Sequence, residues 1–176
     1  MWIYISILGV IWVGLLIPVV QERRAWIACA HGGTGLFFTS LLLSLGLHQT
    51  GDFADIVWLE TIGFVLFIPA AILIASGILA IRQGDLVRTG MMSIVRHPMY
   101  LGTAMASFAL IFIFQSILSI VLSIIAILLL WMASQREDDY NIEQFGDSYG
   151  KHMTLVPRWN VFKGLRNRQA RVLRGE

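Results

Sequence analysis

Apolar residues fall in long blocks along this chain, and the polar positions between them are few and clustered. Residues 1–20 are almost wholly apolar and end at Gln21-Glu22-Arg23-Arg24; residues 26–47 form a second block, and residues 56–81 a third, entered by Glu60. A polar connector occupies residues 82–95. Residues 98–133 are then apolar for 36 positions, broken only by the polar pair Gln115-Ser116 and isolated small hydroxyls. As one helix this run would be about 54 Å long, against a bilayer core of about 30 Å. The pattern therefore predicts a tight helical hairpin, 98–114 and 117–133, turning at Gln115-Ser116. From Ser134 the sequence becomes polar while helical spacing continues. The fifth helix is expected to project into solvent to about Gln144, with Gly146 as its stop.

Composition agrees with these blocks. The chain is 57% apolar and 14% charged, with a mean hydropathy of +0.73; soluble domains average about 45–50% and 25%. The fold class expected is all-α: one polytopic membrane bundle over residues 1–176, with five transmembrane helices of which the last two form the hairpin. The first block lacks the basic start and small-residue cleavage site of a signal peptide, so it reads as a membrane helix. Cys29 stands alone and excludes an internal disulfide. The four histidines show no metal-ligand spacing, so no metal is expected, and neither is a nucleic-acid partner. His31, followed by Gly32-Gly33-Thr34-Gly35, reads as a packing histidine bonded to a neighbour. The small residues Ala70, Ala71, Ala75, Ser76, Gly77 and Ala80 read as a helix-packing surface or room for a ligand.

Charge placement adds an orientation. All thirteen basic residues fall at 23–24, 82–96 and 136–174, segments that five spans put on one side. The positive-inside rule then places the N-terminus outside and the C-terminus in the cytoplasm. The basic tail from Lys163 to Arg174 is expected on the anionic inner leaflet; a disordered tail in solvent is the plainer reading.

Candidate chemistry gathers on that cytoplasmic side. Pro98 suits the first position of a helix, which sets His97 at the helix entrance, Arg96 just outside and Tyr100 one turn in. The helix start offers free N–H groups and the positive end of its dipole. The hairpin returns Glu137-Asp138-Asp139 toward this entrance, so that Glu137 can approach Arg96 and His97. A juxtamembrane arginine and a solvated acidic helix end are the plainer readings of the same residues.

Leu86-Val87-x-x-Gly90, Arg96-His97-Pro98-x-Tyr100-x-Gly102, Glu137-Asp138, Phe145-Gly146-x-x-Tyr149 and Val156-Pro157-Arg158 stand in an order and spacing that resemble the isoprenylcysteine carboxyl methyltransferase family. The wider group includes phospholipid N-methyltransferases, and the likeness spans about residues 84–160, ahead of a basic tail at 159–176. The resemblance implies an integral membrane enzyme that uses S-adenosylmethionine on a lipid-like acceptor drawn from the bilayer, with membrane lipids as its surroundings. It implies that Leu86, Val87 and Gly90 border the cofactor, that His97, Tyr100 and Glu137 contact it, and that Arg96 orients the methyl acceptor with Glu137. Met91-Met92, Asp138 and His152 depart from the family pattern, which bears on the acceptor. A carboxylate acceptor needs a cationic clamp, for which Arg96 is the candidate; an amine acceptor needs a carboxylate, for which Glu137 is. Membrane sterol reductases share a His-Pro-x-Tyr element and use a nicotinamide cofactor, and a non-catalytic scaffold is the third reading.

Overall fold

A computed structural model describes residues 2–22, 25–47, 56–81 and 89–174. Among these there are seven α-helices and one short 3-10 helix, Gly90–Ser93, and no strand. The helices are α1 (Trp2–Glu22), α2 (Ala25–Leu47), α3 (Val57–Ile81), α4 (Pro98–Phe114), α5 (Ile117–Phe145), α6 (Asp147–Leu155) and α7 (Val161–Arg174).

The hairpin turns where the polar pair sits. Gln115 ends α4 in the left-handed conformation (φ 45°), and its N–H bonds back to Ile111. Ser116 starts α5 with a reciprocal capping box to Ser119. The Gln115 side-chain amide is also bound to Ile56 in both directions, at 3.1 Å and 3.0 Å, which ties the hairpin apex to the start of α3. Past its apolar stretch, α5 continues through the acidic run and ends at Gly146 (φ 54°).

The large helices pack in the order α1–α2–α5–α4–α3. Small residues make this possible. A Cβ on Gly102 would lie 2.7 Å from the Ala70 carbonyl, and one on Gly77 2.6 Å from the Met99 side chain, so α3 and α4 approach backbone to backbone. Of the small residues on α3, Ala70, Gly77 and Ala80 are buried. That surface serves packing. Gly33 meets Leu130 of α5, and Trp12 of α1 reaches Thr39 of α2 (3.0 Å). The His31 Nδ1–H donates to the Ile27 carbonyl at 2.8 Å, a histidine bonded within its own helix.

The bundle is apolar outside and small or polar inside. Ile3, Val10, Val57, Phe64, Ile68, Ile72 and Leu128 are exposed, while Ser40, Ser107, Ser119, Ser123 and Ser134 are buried. A soluble domain inverts that arrangement; lipid as solvent favours it. Val57–Ala80 and the 29-residue α5 are long and apolar enough to cross a bilayer. The other apolar stretches, Ser6–Ile17, Ile27–Leu43 and Pro98–Phe114, are shorter. The expectation of five spans is thus met in full length by two helices among the described residues.

Candidate active site

The segment before α4 is pinned on both sides. Ile94 and Val95 are buried, and the Arg96 N–H donates to the Pro157 carbonyl at 3.1 Å. This joins the entrance of α4 to the chain after α6. His97 occupies the N-cap and Pro98 follows at the first helical position.

Asp138 is the centre of what these elements hold together. It is 1% exposed and lies on the polar part of α5, beyond the apolar stretch. One oxygen accepts from His97 Nε2 (2.8 Å) and from the Tyr149 hydroxyl (2.5 Å). The other accepts from Arg96 Nη2 (3.0 Å) and from Arg158 Nε and Nη2 (both 2.8 Å). Arg96 gives its other terminal nitrogen to the Met153 carbonyl at 3.1 Å. Arg158 also lies 5.2 Å over the Trp131 ring, which stands edge-on to Trp159 at 5.0 Å.

These neighbours set the charges. Burial alone would raise the Asp138 carboxyl, but the His97 bond and charge, the Tyr149 bond and the Arg96 charge outweigh it and hold it well below the usual carboxylate range. Burial alone would lower the His97 imidazole; its bond to Asp138 and the nearby Glu137 carboxylate prevail and raise it. Tyr149 is pushed up by burial first and by Asp138 second. The cluster therefore sets a carboxylate among two guanidiniums and an imidazole whose protonated form is favoured.

Glu137, one residue earlier on the helix, faces elsewhere. Its carboxylate is 3.6 Å from His97 Nδ1 and lines the same cavity as Tyr100. The His97 and Tyr100 rings stack with centroids 5.7 Å apart. A cavity of about 40 Å³ opens here, lined by Gly77, Met92, Arg96, His97, Met99, Tyr100 and Glu137 among others. Among the described residues that is room for one functional group of a ligand.

Of the residues singled out from the sequence, Arg96, His97, Tyr100 and Glu137 thus meet at one cavity. Gly90 opens the 3-10 helix with φ 58° and does not line it. Leu86 and Val87 lie outside the described residues. Arg96 was expected to act with Glu137; its terminal nitrogens instead bind Asp138 and Met153. The sequence reading passed over Asp138, Tyr149 and Arg158 as site residues, although each stood in a quoted motif.

Comparison with family descriptions bears on this part of the chain. Residues 77–148 match the phospholipid methyltransferase family. That segment runs from the cavity glycine, Gly77, through α4 and α5 into the first turn of α6. The family belongs to the wider group of membrane methyltransferases that the motifs resemble, and the match supports a membrane methyltransferase without distinguishing the isoprenylcysteine-like reading from the phospholipid one. No curated protein and no solved structure matches the chain.

Proposed function

We propose that the chain is an S-adenosylmethionine-dependent methyltransferase of the membrane, acting on a lipid-like acceptor at the cavity between the entrance of α4 and the polar part of α5. The observation that carries this is Glu137: a partly exposed carboxylate facing the cavity, 3.6 Å from His97 Nδ1, beside an Arg96 paired with Asp138. The donor set suits the amino-acid end of the cofactor. Glu137 can accept from an ammonium, and Arg96 Nε is a buried donor without a partner in the described structure. When bound, the cofactor supplies an electrophilic methyl whose leaving group is neutral. The leaving group then needs no proton, while an amine acceptor must give one up to a base before its nitrogen takes the methyl; the residues' other task is alignment and exclusion of water. His97, its protonated form favoured by two carboxylate neighbours, holds Glu137 in place, and the Asp138 cluster fixes Arg96.

The acceptor follows from charge. An isoprenylcysteine-like carboxylate acceptor requires a free cationic clamp, and the terminal nitrogens of Arg96 are engaged. That engagement favours the second reading, an amine-bearing phospholipid headgroup balanced by Glu137. Five spans with a cytoplasmic C-terminus remain part of the proposal, supported by the one-sided placement of the basic residues and the apolar exterior.

The test is calorimetric titration of the detergent-purified protein with S-adenosylhomocysteine and, separately, with a nicotinamide cofactor. Binding of the first alone is expected. Glu137→Gln should weaken it about 10- to 150-fold, since charge-assisted bonds contribute roughly 1.5–3 kcal/mol each. Radiolabelled methyl transfer to phosphatidylethanolamine and to a prenylated cysteine then separates the two acceptors. Binding of the nicotinamide cofactor alone would overturn the proposal.

A further inference from the structure

The last helix carries a feature that the proposed methyl transfer does not use. α7 holds five basic residues and no acidic one. One side of it is seated on the bundle. Gly164 is buried so tightly that a Cβ would meet the Ile94 carbonyl at 1.9 Å, Arg171 Nη2 donates to the Ser93 carbonyl (2.8 Å), and Asn167 donates to the Leu155 carbonyl (2.9 Å). At helical spacing, Phe162, Leu165, Val172 and Leu173 fall together on a different side. They are 87%, 47%, 69% and 81% exposed. Lys163, Arg166, Arg168 and Arg174 are exposed as well, flanking the apolar side.

An apolar side this exposed is costly in water, and the seat at Gly164 prevents the helix from rolling over to cover it. Two further observations say what covers it. The exposed charge is of one sign, which suits an anionic surface. The start of α7 also lies level with the end of the apolar stretch of α5: Trp131, Phe162 and Lys163 line one open cavity. Tryptophan at the end of an apolar helix marks the membrane–water boundary.

We infer that α7 is an interfacial helix that docks on the anionic lipid surface of the same bilayer. Phe162, Leu165, Val172 and Leu173 enter the headgroup–acyl boundary, and Arg166, Arg168, Lys163 and Arg174 lie against lipid phosphates. The apolar side of such a helix sinks about 5–10 Å. Because α7 is joined through Ile94 and Ser93 to the segment just before Arg96, docking holds that segment at a fixed depth.

The experiment uses the full chain in a Cys29→Ser background, with a nitroxide on Leu173→Cys or on Lys163→Cys. Each is reconstituted in vesicles of phosphatidylcholine alone or of phosphatidylcholine with phosphatidylserine. Collision with oxygen, which concentrates in lipid, is compared with collision with an aqueous nickel chelate. With phosphatidylserine present, the label at Leu173→Cys should favour oxygen and the one at Lys163→Cys nickel. Replacing Arg166, Arg168 and Arg174 by Gln should lower the docked-to-free ratio about fivefold per charge. Equal nickel access at both sites would overturn the inference, as would identical behaviour in the two kinds of vesicle. Spin–spin broadening between molecules at Leu173→Cys would overturn it in favour of a second copy.

Discussion

Asp138→Asn should damage this protein more than any other single-atom-scale change at its polar residues. The replacement keeps the shape and removes the charge. Five nitrogen and oxygen donors converge on the carboxylate from Arg96, His97, Tyr149 and Arg158. An asparagine amide has one accepting oxygen and one donating nitrogen. Whichever way it points, its N–H groups face either the His97–Tyr149 pair or the two guanidiniums, and donors then oppose donors. The Arg96 side chain is 8% exposed and would be left as a buried cation without its counter-charge. Removing one partner of a buried ion pair costs about 3–5 kcal/mol. The Arg158 side chain, 24% exposed, recovers part of its share from water, so we expect about 3 kcal/mol. That is a large fraction of the 5–15 kcal/mol that typically separates folded from unfolded states. The assay is reversible unfolding in mixed micelles, followed by tryptophan fluorescence. Asp139→Asn, at the exposed next position, is the reference and should stay within about 0.5 kcal/mol of the parent. If the two variants unfold together, Asp138 is not the keystone of the cluster and the reasoning fails.

Two further expectations follow from the same geometry. Gly164→Ala places a methyl against the Ile94 carbonyl, so α7 must lift; we expect a loss of about 1–3 kcal/mol and faster amide exchange confined to α7, with Gly150→Ala, which has open space, as the neutral control. The pH profile should be a plateau with two limbs. His97, raised in the fold, contributes fully below its ordinary value of 6.5 and loses that contribution as pH climbs through its raised value, whereas Asp138, lowered in the fold, contributes fully above 3.8 and loses it as pH falls toward its lowered value. Thermal melts across pH should therefore fall off on both sides, and His97→Gln should flatten the alkaline limb; an unchanged alkaline limb in that variant would count against the charged imidazole.

The parts of the fold legible in the sequence are those where one local signal had no competitor. Thirty-six apolar residues exceed any bilayer, and Gln115-Ser116 was the only polar pair inside them, so the turn had one place to be. Gly146 ended α5 because a residue with φ 54° suits glycine. The choice between Glu137 and Asp138 was of another kind. Neighbours on a helix point roughly a quarter-turn apart, and which of them meets Arg96 depends on the rotation of α5 against α4. That rotation is set by packing such as Leu130 and Ala133 of α5 against Tyr100 and Ala104 of α4. Tyr149 and Arg158 were hidden for a related reason: their contacts need α6 to fold back, and nothing local in Asp147–Leu155 announces that. In α7 the spacing of Phe162, Leu165, Val172 and Leu173 was present, but five basic residues gave the segment the look of a solvated tail.

The partners of Asp138 also impose an order in time. Arg96 and His97 precede it by 42 and 41 residues; Tyr149 and Arg158 follow it by 11 and 20. As the chain leaves the ribosome, the carboxylate therefore emerges after one cation and one imidazole are already waiting, and before its second guanidinium exists. The α4–α5 hairpin can assemble with its acidic end compensated from upstream. The enclosure that buries Asp138 closes only when Arg158 arrives. A chain cut short between Tyr149 and Arg158 would hold a complete hairpin with an unsealed polar centre.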